Sequence, residues 1–286
     1  MNKFENIVIA TDLDGTYFGT KSYIVGRNLE RVKYFCDNGG HFTFATGRLP
    51  LFIRKPIPNP REHINMPAVL GNGTCIYDFG EDRAIREQFV DSNDVIEIVS
   101  FARSIENEIG SRATYARGFV GYNFDNPIVK REYERLPDFM ERSYLPLERW
   151  GELDLYKTNI VASDECIDRL YPMLKEKYSH KVGVTRSASF MIEIIPLGVT
   201  KAAGLERLVK EYFDRPMTLC CVGDYDNDLE MLGLADISAC PSNANDNVKA
   251  ICKHHLCSND EGVIADLIDL LDIKPDKRYT IRKEYL

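Results

Sequence analysis

No apolar stretch in this chain is long enough to cross a bilayer, and basic residues are in the minority. Lys plus Arg number 36 against 44 Asp plus Glu, a formal charge of −8. Without a cationic excess, general affinity for nucleic acid or for an anionic membrane is not expected, so an anionic ligand has to be held by a local site. Internal repeats, low-complexity tracts and CxxC pairs are also missing. The opening M-N-K-F-E-N-I-V-I-A-T-D meets an acid almost at once, which is not the form of an export signal. The eight cysteines are therefore expected to be reduced thiols of a cytoplasmic protein rather than a disulfide framework. One group, Cys252-Lys253-His254-His255-Leu256-Cys257, mixes soft zinc ligands at close spacing, although helical spacing would splay them over different faces.

What is present is the balance of an ordinary globular protein, 44% hydrophobic and 28% charged. At 286 residues the length favours two domains. Ile7 to Ala10 is a compact apolar run that predicts a buried parallel strand, with D-L-D-G-T at its end. Leu29 to Cys36 predicts a helix stopped by Asn38-Gly39-Gly40, and His41 to Ala45 a second strand running into Thr46-Gly47-Arg48. Pro67 to Leu70 predicts a third strand ahead of Gly71-Asn72-Gly73, and Cys75 to Asp78 begins a hairpin.

From about Asp91 the pattern changes. A helix from Val95 to Ile109, two short strands within Arg112 to Asn123, a strand from Tyr156 to Ala162, a helix from Asp164 to Tyr178 and strands at Val182 to Thr185 and Phe190 to Ile195 suggest an α/β module with an antiparallel sheet. The first pattern then returns: helix Lys201 to Tyr212, strand Thr218 to Val222, the acidic loop Gly223 to Asp228 and helix Leu229 to Leu234. The expected organisation is a discontinuous core, residues 1–84 and 196–286, interrupted by an inserted domain over residues 85–195. The charged tail from Asp272 to Leu286 is expected to be a solvated terminus.

Asp12 and Asp14 lie two apart at the end of a buried strand, followed by a Gly-Thr turn that lets both carboxylates point into one loop-lined crevice. Open α/β sheets place their ligands at such strand ends. Asp224-Tyr225-Asp226-Asn227-Asp228 follows a strand of the same expected sheet, so acids far apart in sequence can converge there. Hard oxygen ligands in that arrangement suit magnesium. Each piece alone also fits a plainer role: a turn with surface acids, an N-capped helix, a solvated Lys201, a strand-end hydroxyl at Thr46.

In this order, strand-D-L-D-G-T, strand-A-T-G-R, G-V-T-K at a helix start and strand-G-D-Y-D-N-D resemble the four signature motifs of the haloacid dehalogenase superfamily. V-L-G-N-G-T-C-I-Y-D, F-M-I-E-I-I-P-L-G-V-T-K and P-S-N-A-N-D-N-V-K are similar to stretches of its Cof-type phosphatases. The likeness covers the core and the exit of the inserted domain, but little of that domain's interior. Only 29 residues separate Thr16 from Thr46, whereas 154 separate Thr46 from Lys201, so the insertion lies between the second and third motifs. In the family that place belongs to an α/β cap over a Rossmann-like, doubly wound parallel-sheet core, typical of Cof-like enzymes (subfamily IIB) and of one group of phosphomannomutases.

The resemblance implies a magnesium-dependent phosphatase acting on a small phosphorylated metabolite, a sugar phosphate first. The alternatives are a sugar phosphomutase and a non-catalytic binder of phosphorylated metabolites. It implies Asp12 as nucleophile and Asp14 as acid and base. Magnesium would be held by Asp12, the backbone carbonyl of Asp14, Asp224 and Asp228, the last directly or through water. Lys201, Thr46 and Asn227 would contact the phosphoryl oxygens, helped by N–H groups near Gly15 and Gly47, with Arg48, Asn72 and Asn243 lining the pocket. Tyr115, Arg117, Tyr122, Arg186 and Glu193 are the candidates for specificity in the cap. The pattern departs from the family at Tyr17-Phe18, where Cof-like chains carry small aliphatic residues, which leaves the pocket's size open.

Overall fold

In the computed structural model, residues 2–123, 126–134 and 141–273 are described. Strand β1 (Ile7–Thr11) reads I-V-I-A-T and is buried from Val8 onward, as a strand covered on both faces should be. Helix α1 (Gly26–Asp37) stops at Asn38, and Gly39 turns the chain with φ +88°. It leads into β2 (His41–Phe44), parallel to β1. A single turn, α2 (Pro50–Ile53), opens on proline. Then β3 (Ala68–Leu70), β4 (Cys75–Asp78) and β5 (Arg83–Glu87) make a small three-stranded sheet.

The insertion begins with α3 (Ser92–Ile105), capped by the Asp91 carboxylate, which accepts from the N–H groups of Asn93 and Asp94. It continues through β6 (Gly110–Tyr115), β7 (Gly118–Tyr122), α4 (Pro127–Glu134), β8 (Glu141–Tyr144), β9 (Lys157–Val161), α5 (Asp164–Tyr178), β10 (Val182–Ala188) and β11 (Met191–Pro196). The expected helix to Ile109 ends four residues early: Glu106 is already extended, and buried Ile109 belongs to the approach to β6. The sheet order is β10-β11-β9-β6-β7-β8. Its pairings are antiparallel except β7 with β8, which the crossover through α4 makes parallel; a purely antiparallel sheet is thus corrected. Helices α3 and α5 pack on one face of this sheet, where Ile98, Val99, Ile167, Leu170 and the fully buried Trp150 meet Ala113, Ile160, Ile192 and Ile194.

The chain then resumes its first pattern with α6 (Lys201–Tyr212), β12 (Thr218–Val222), α7 (Leu229–Leu234), β13 (Ile237–Pro241), α8 (Asp246–Ile251), β14 (His254–Leu256) and α9 (Val263–Ile273). The main sheet runs β14-β13-β12-β1-β2, all parallel. Val8 and Ala10 of β1 share a core with Leu205, Leu208, Met231 and Val248 from α6, α7 and α8. Helices α1 and α9 pack on each other. Strand order reverses at β1, between β2 on one side and β12 on the other, which is the switch point where such sheets open a crevice. The fold is therefore α/β, a doubly wound parallel-sheet core interrupted by an α/β insertion. Two compact units result, one from the chain up to Arg86 and from Thr200 on, the other from Glu87–Val199. Apart from residues 272 and 273, the charged tail lies outside the described residues.

Tyr17 and Phe18 are both buried, and the Tyr17 ring packs among Phe18, Phe42 and Phe44, so this departure from small residues fills the core. The Tyr17 hydroxyl lies 2.7 Å from Nδ1 of His63. Burial holds the His63 imidazole below its ordinary value, with nearby Glu62 opposing the shift. The unfolded chain thus binds this proton more readily than the folded one. The stabilisation is full above the ordinary histidine range near ~6.5 and is lost as pH falls through the folded value. Urea unfolding of His63→Gln should therefore lose less stability between about pH 8 and pH 5 than the parent chain does. Parallel pH profiles for the two proteins would refute this account of His63.

Candidate active site

Four chain segments bring polar groups to the C-terminal edge of the main sheet. Asp12 leaves β1 still extended, its N–H donating to the Val222 carbonyl of β12 at 2.9 Å, so the first motif is pinned to the strand that carries the fourth. Gly15 then takes φ +78°, and a Cβ there would lie 2.4 Å from Oδ2 of Asp224. Only glycine lets the loop turn and approach Asp224 this closely. Thr16 consolidates the approach, its hydroxyl donating to Oδ1 of Asp224 at 2.6 Å.

Lys201 is the first residue of α6, which Thr200 caps by accepting from the N–H of Ala203. A cation is unfavourable at a helix N-terminus, and here two carboxylates compensate it. The Lys201 ammonium lies 2.7 Å from Oδ1 of Asp12 and 2.7 Å from Oδ1 of Asp228. Lys201 is 1% exposed, Asp228 0% and Asp12 7%. The other oxygen of Asp228 accepts from the N–H groups of Asp224 and Tyr225, at 3.0 and 3.3 Å.

Asp12, Asp224 and Asp228 offer carboxylate oxygens within 4.8 Å of one another. Burial pushes the Asp12 carboxyl up to about 7, with Lys201 opposing and the charge of Asp228 adding to the rise. Burial likewise lifts Asp224 to about 6, against the Thr16 hydrogen bond. Burial by itself would lower Lys201, but Asp12 and Asp228 outweigh it and raise the ammonium's affinity for its proton. Three crowded carboxylates facing one ammonium leave a deficit of positive charge. Among the described residues, no hydrogen-bond donor reaches Oδ2 of Asp12 or Oδ2 of Asp224. Two free hard oxygens in an acidic, partly desolvated place are a donor set that fits a magnesium ion. Asp228 completes this acidic group and also braces Lys201 and the Asp224 backbone.

The remaining predicted residues also gather here. Thr46 is buried after β2, and its hydroxyl oxygen accepts from the Arg48 N–H at 3.3 Å. Arg48 grips the Asp14 carboxylate. Gly47 faces Asn72, whose Oδ1 lies 3.4 Å from Nδ2 of Asn227. Asn243 donates to the Gly15 carbonyl at 2.8 Å, which makes it a support of the first motif's loop. Behind it stands Asn259, which sequence reasoning missed: its N–H donates to Oδ1 of Asn243 and its side chain to the Phe18 carbonyl. A lone asparagine without a motif carries no signal of such a role.

In the inserted unit, each candidate specificity residue has a partner within the unit. Tyr115 donates to Glu141 at 2.9 Å, with Arg117 3.4 Å from the same carboxylate. Tyr122 lies under the Arg103 guanidinium, and Arg186 pairs with Asp168 at 2.6 Å. Glu193 is buried and accepts from Lys157 at 2.6 Å. The possible zinc group does not assemble. Cys252 is directed to Cys240 and Cys257 to Asp266, while Nε2 of His255 lies 2.9 Å from the Lys249 carbonyl.

Known proteins resemble this chain in sequence and fold. Residues 9–268 match the model of the haloacid dehalogenase-like hydrolases. The 5-amino-6-(5-phospho-D-ribitylamino)uracil phosphatase YwtE of Bacillus subtilis is 25% identical over 284 residues, covering 92% of this chain and 97% of its own. The HMP-PP phosphatase of Yersinia enterocolitica is 27% identical over 228 residues, covering 78% of this chain and 79% of its own. A Streptococcus mutans protein of known crystal structure superposes with a TM-score of 0.79 at 26% identity, covering 93% of this chain and 98% of that one. The family match runs from β1 into α9 and takes in every segment that lines the sheet edge, so the chain belongs to the haloacid dehalogenase-like hydrolases.

Proposed function

We propose that the chain is a magnesium-dependent phosphatase that hydrolyses a small phosphorylated metabolite through an aspartyl-phosphate, with sugar and polyol phosphates as the first substrates to test. The observation that carries the reading is the state of Asp12. One of its oxygens is fixed by Lys201 and the other, like the second oxygen of Asp224, has no donor among the described residues. A carboxylate held in one orientation with a bare oxygen is preorganised for in-line attack. The family membership and the phosphatase names of the two relatives support the same chemistry.

In the first step the free oxygen of Asp12 forms a bond to phosphorus, the ester P–O bond breaks, and Asp14 gives its proton to the departing alkoxide. In the second, Asp14 takes a proton from water, which attacks the phosphorus of the aspartyl-phosphate and frees Asp12 and inorganic phosphate. Alkoxides of sugars and polyols leave poorly, which is why an acid beside the nucleophile matters. Lys201, the Thr46 hydroxyl and the Asn227 amide supply donors for the phosphoryl oxygens. Magnesium, when held by Asp224, the Asp14 carbonyl, the oxygen of Asp12 that does not attack, and Asp228 directly or through water, would offset the repulsion between an anionic nucleophile and an anionic substrate. The task is large, since phosphate-monoester hydrolysis without a catalyst is so slow that enhancements approach ~10²¹.

A screen of phosphate release over phosphorylated metabolites should find activity that chelation abolishes and added magnesium restores. Asp12→Asn should lose about a thousandfold or more in kcat. Release of inorganic phosphate without a bisphosphate activator separates hydrolysis from mutase chemistry, and no release from any ester would leave a binding protein.

Asp14→Asn should lower kcat on alkyl phosphates by about 10² to 10⁴ while KM stays within a few-fold. Equal losses in kcat and in substrate affinity would remove Asp14 from the proton-transfer role.

A further inference from the structure

Arg48 makes a two-pronged contact with the carboxylate beside the nucleophile. Its Nε donates to Oδ2 of Asp14 at 2.7 Å and its Nη2 to Oδ1 at 2.6 Å. The two partners are not equally tethered. Arg48 is anchored without help from Asp14: Nη1 donates to the Phe52 carbonyl at 3.2 Å, and the guanidinium lies 5.3 Å from the centre of the buried Phe18 ring. Its backbone is fixed too, the N–H donating to Thr46 Oγ1 and the carbonyl accepting from the Gly71 N–H. The Asp14 side chain, by contrast, is 53% exposed on an irregular loop, and no other donor reaches its carboxylate among the described residues. The constraint therefore runs from Arg48 to Asp14.

A pair this exposed contributes little to the stability of the fold. Its geometry is better explained by orientation, because a planar fork fixes both oxygens of a carboxylate, whereas a lysine ammonium would hold one. We propose that Arg48 is a positioning residue, which aims the Asp14 carboxylate at the leaving oxygen of the ester and then at the attacking water. The assignment rests on the proton-transfer reading of Asp14. During the first step the proton passes from an Asp14 oxygen to the departing alkoxide, and the carboxylate that remains is the one the fork receives with both oxygens accepting. In the second step that carboxylate takes a proton from water, and one of the fork's two hydrogen bonds is given up. Arg48 stays in place through both, held by Phe52 and Phe18.

Two aryl esters test this without knowledge of the natural substrate. p-Nitrophenyl phosphate expels a phenolate that needs no proton, whereas phenyl phosphate expels one that gains much more from protonation. Arg48→Met should depress kcat for phenyl phosphate at least about tenfold more than for p-nitrophenyl phosphate, with KM within about threefold of the parent value. In an Asp14→Asn background the same substitution should add less than about twofold. Arg48→Lys should keep the parent KM without restoring the ratio between the two esters. A raised KM with equal losses on both esters would make Arg48 a phosphate ligand and overturn the proposal, as would full additivity with Asp14→Asn. Should Asp14→Asn leave the ester ratio unchanged, the acid role of Asp14 and the proposal fall together. Should Asp14→Asn alter the ratio while Arg48→Met does not, only the assignment of Arg48 falls.

Discussion

One buried interaction organises this molecule's chemistry: the Lys201 ammonium shared between Asp12 and Asp228, all three nearly or wholly out of water. Neither charge is tolerable alone at that depth, since removing one partner of a buried pair typically costs about 3–5 kcal/mol. The arrangement therefore demands that β1, β12 and α6 be brought together before any of the three side chains is accommodated. It also sets what the site can do. With one oxygen of Asp12 committed to Lys201, the carboxylate keeps a single orientation, and its second oxygen has no hydrogen-bond donor among the described residues.

The surrounding backbone is shaped to let these charges approach. At Gly15 a side chain would strike Asp224, at Gly223 one would strike Asp228, and at Gly73 one would meet the Thr200 carbonyl at 2.2 Å, at the start of α6. At Gly15 and Gly73 two separate chain segments are pressed together, at Gly223 the loop after β12 folds back on its own Asp228, and a methyl group at any of the three would push these groups apart. Lys201 at the first turn of α6 breaks the local preference against cations there. Local rules fail most often at functional sites, because the tertiary partners, here Asp12 and Asp228, outweigh the local preference.

Much of the core was legible from residue pattern. The apolar runs of β1 and β12 are continuous because both faces are covered, and α5, α6 and α7 begin and end where caps and periodicity place them. Strands β13 and β14 were less so. H-H-L is three residues long and only partly buried, so that no alternation can develop. In the insertion, α4 and β8 are short and strongly charged, and their partnership with β7 is a pairing across a crossover, which composition does not reveal. The helix α3 was overextended because Ile109 keeps the helical spacing although the backbone has already opened at Glu106.

By itself the sequence determined the chemical inventory and its order: which acids end which strands, which lysine opens which helix, and that a second α/β unit interrupts the first. These are local properties, set by periodicity, turn residues and capping. Only the tertiary structure decided which carboxylate oxygens have a donor among the described residues. It closed Asp228 with two backbone N–H groups and Lys201, tied Asp224 to Thr16, sent Tyr17 into the aromatic core beside His63, and joined Arg48 to Asp14. The reason is physical. Hydrogen-bond partners of a carboxylate depend on distances between segments as far as 208 residues apart, and those distances exist only once the sheet has closed around them.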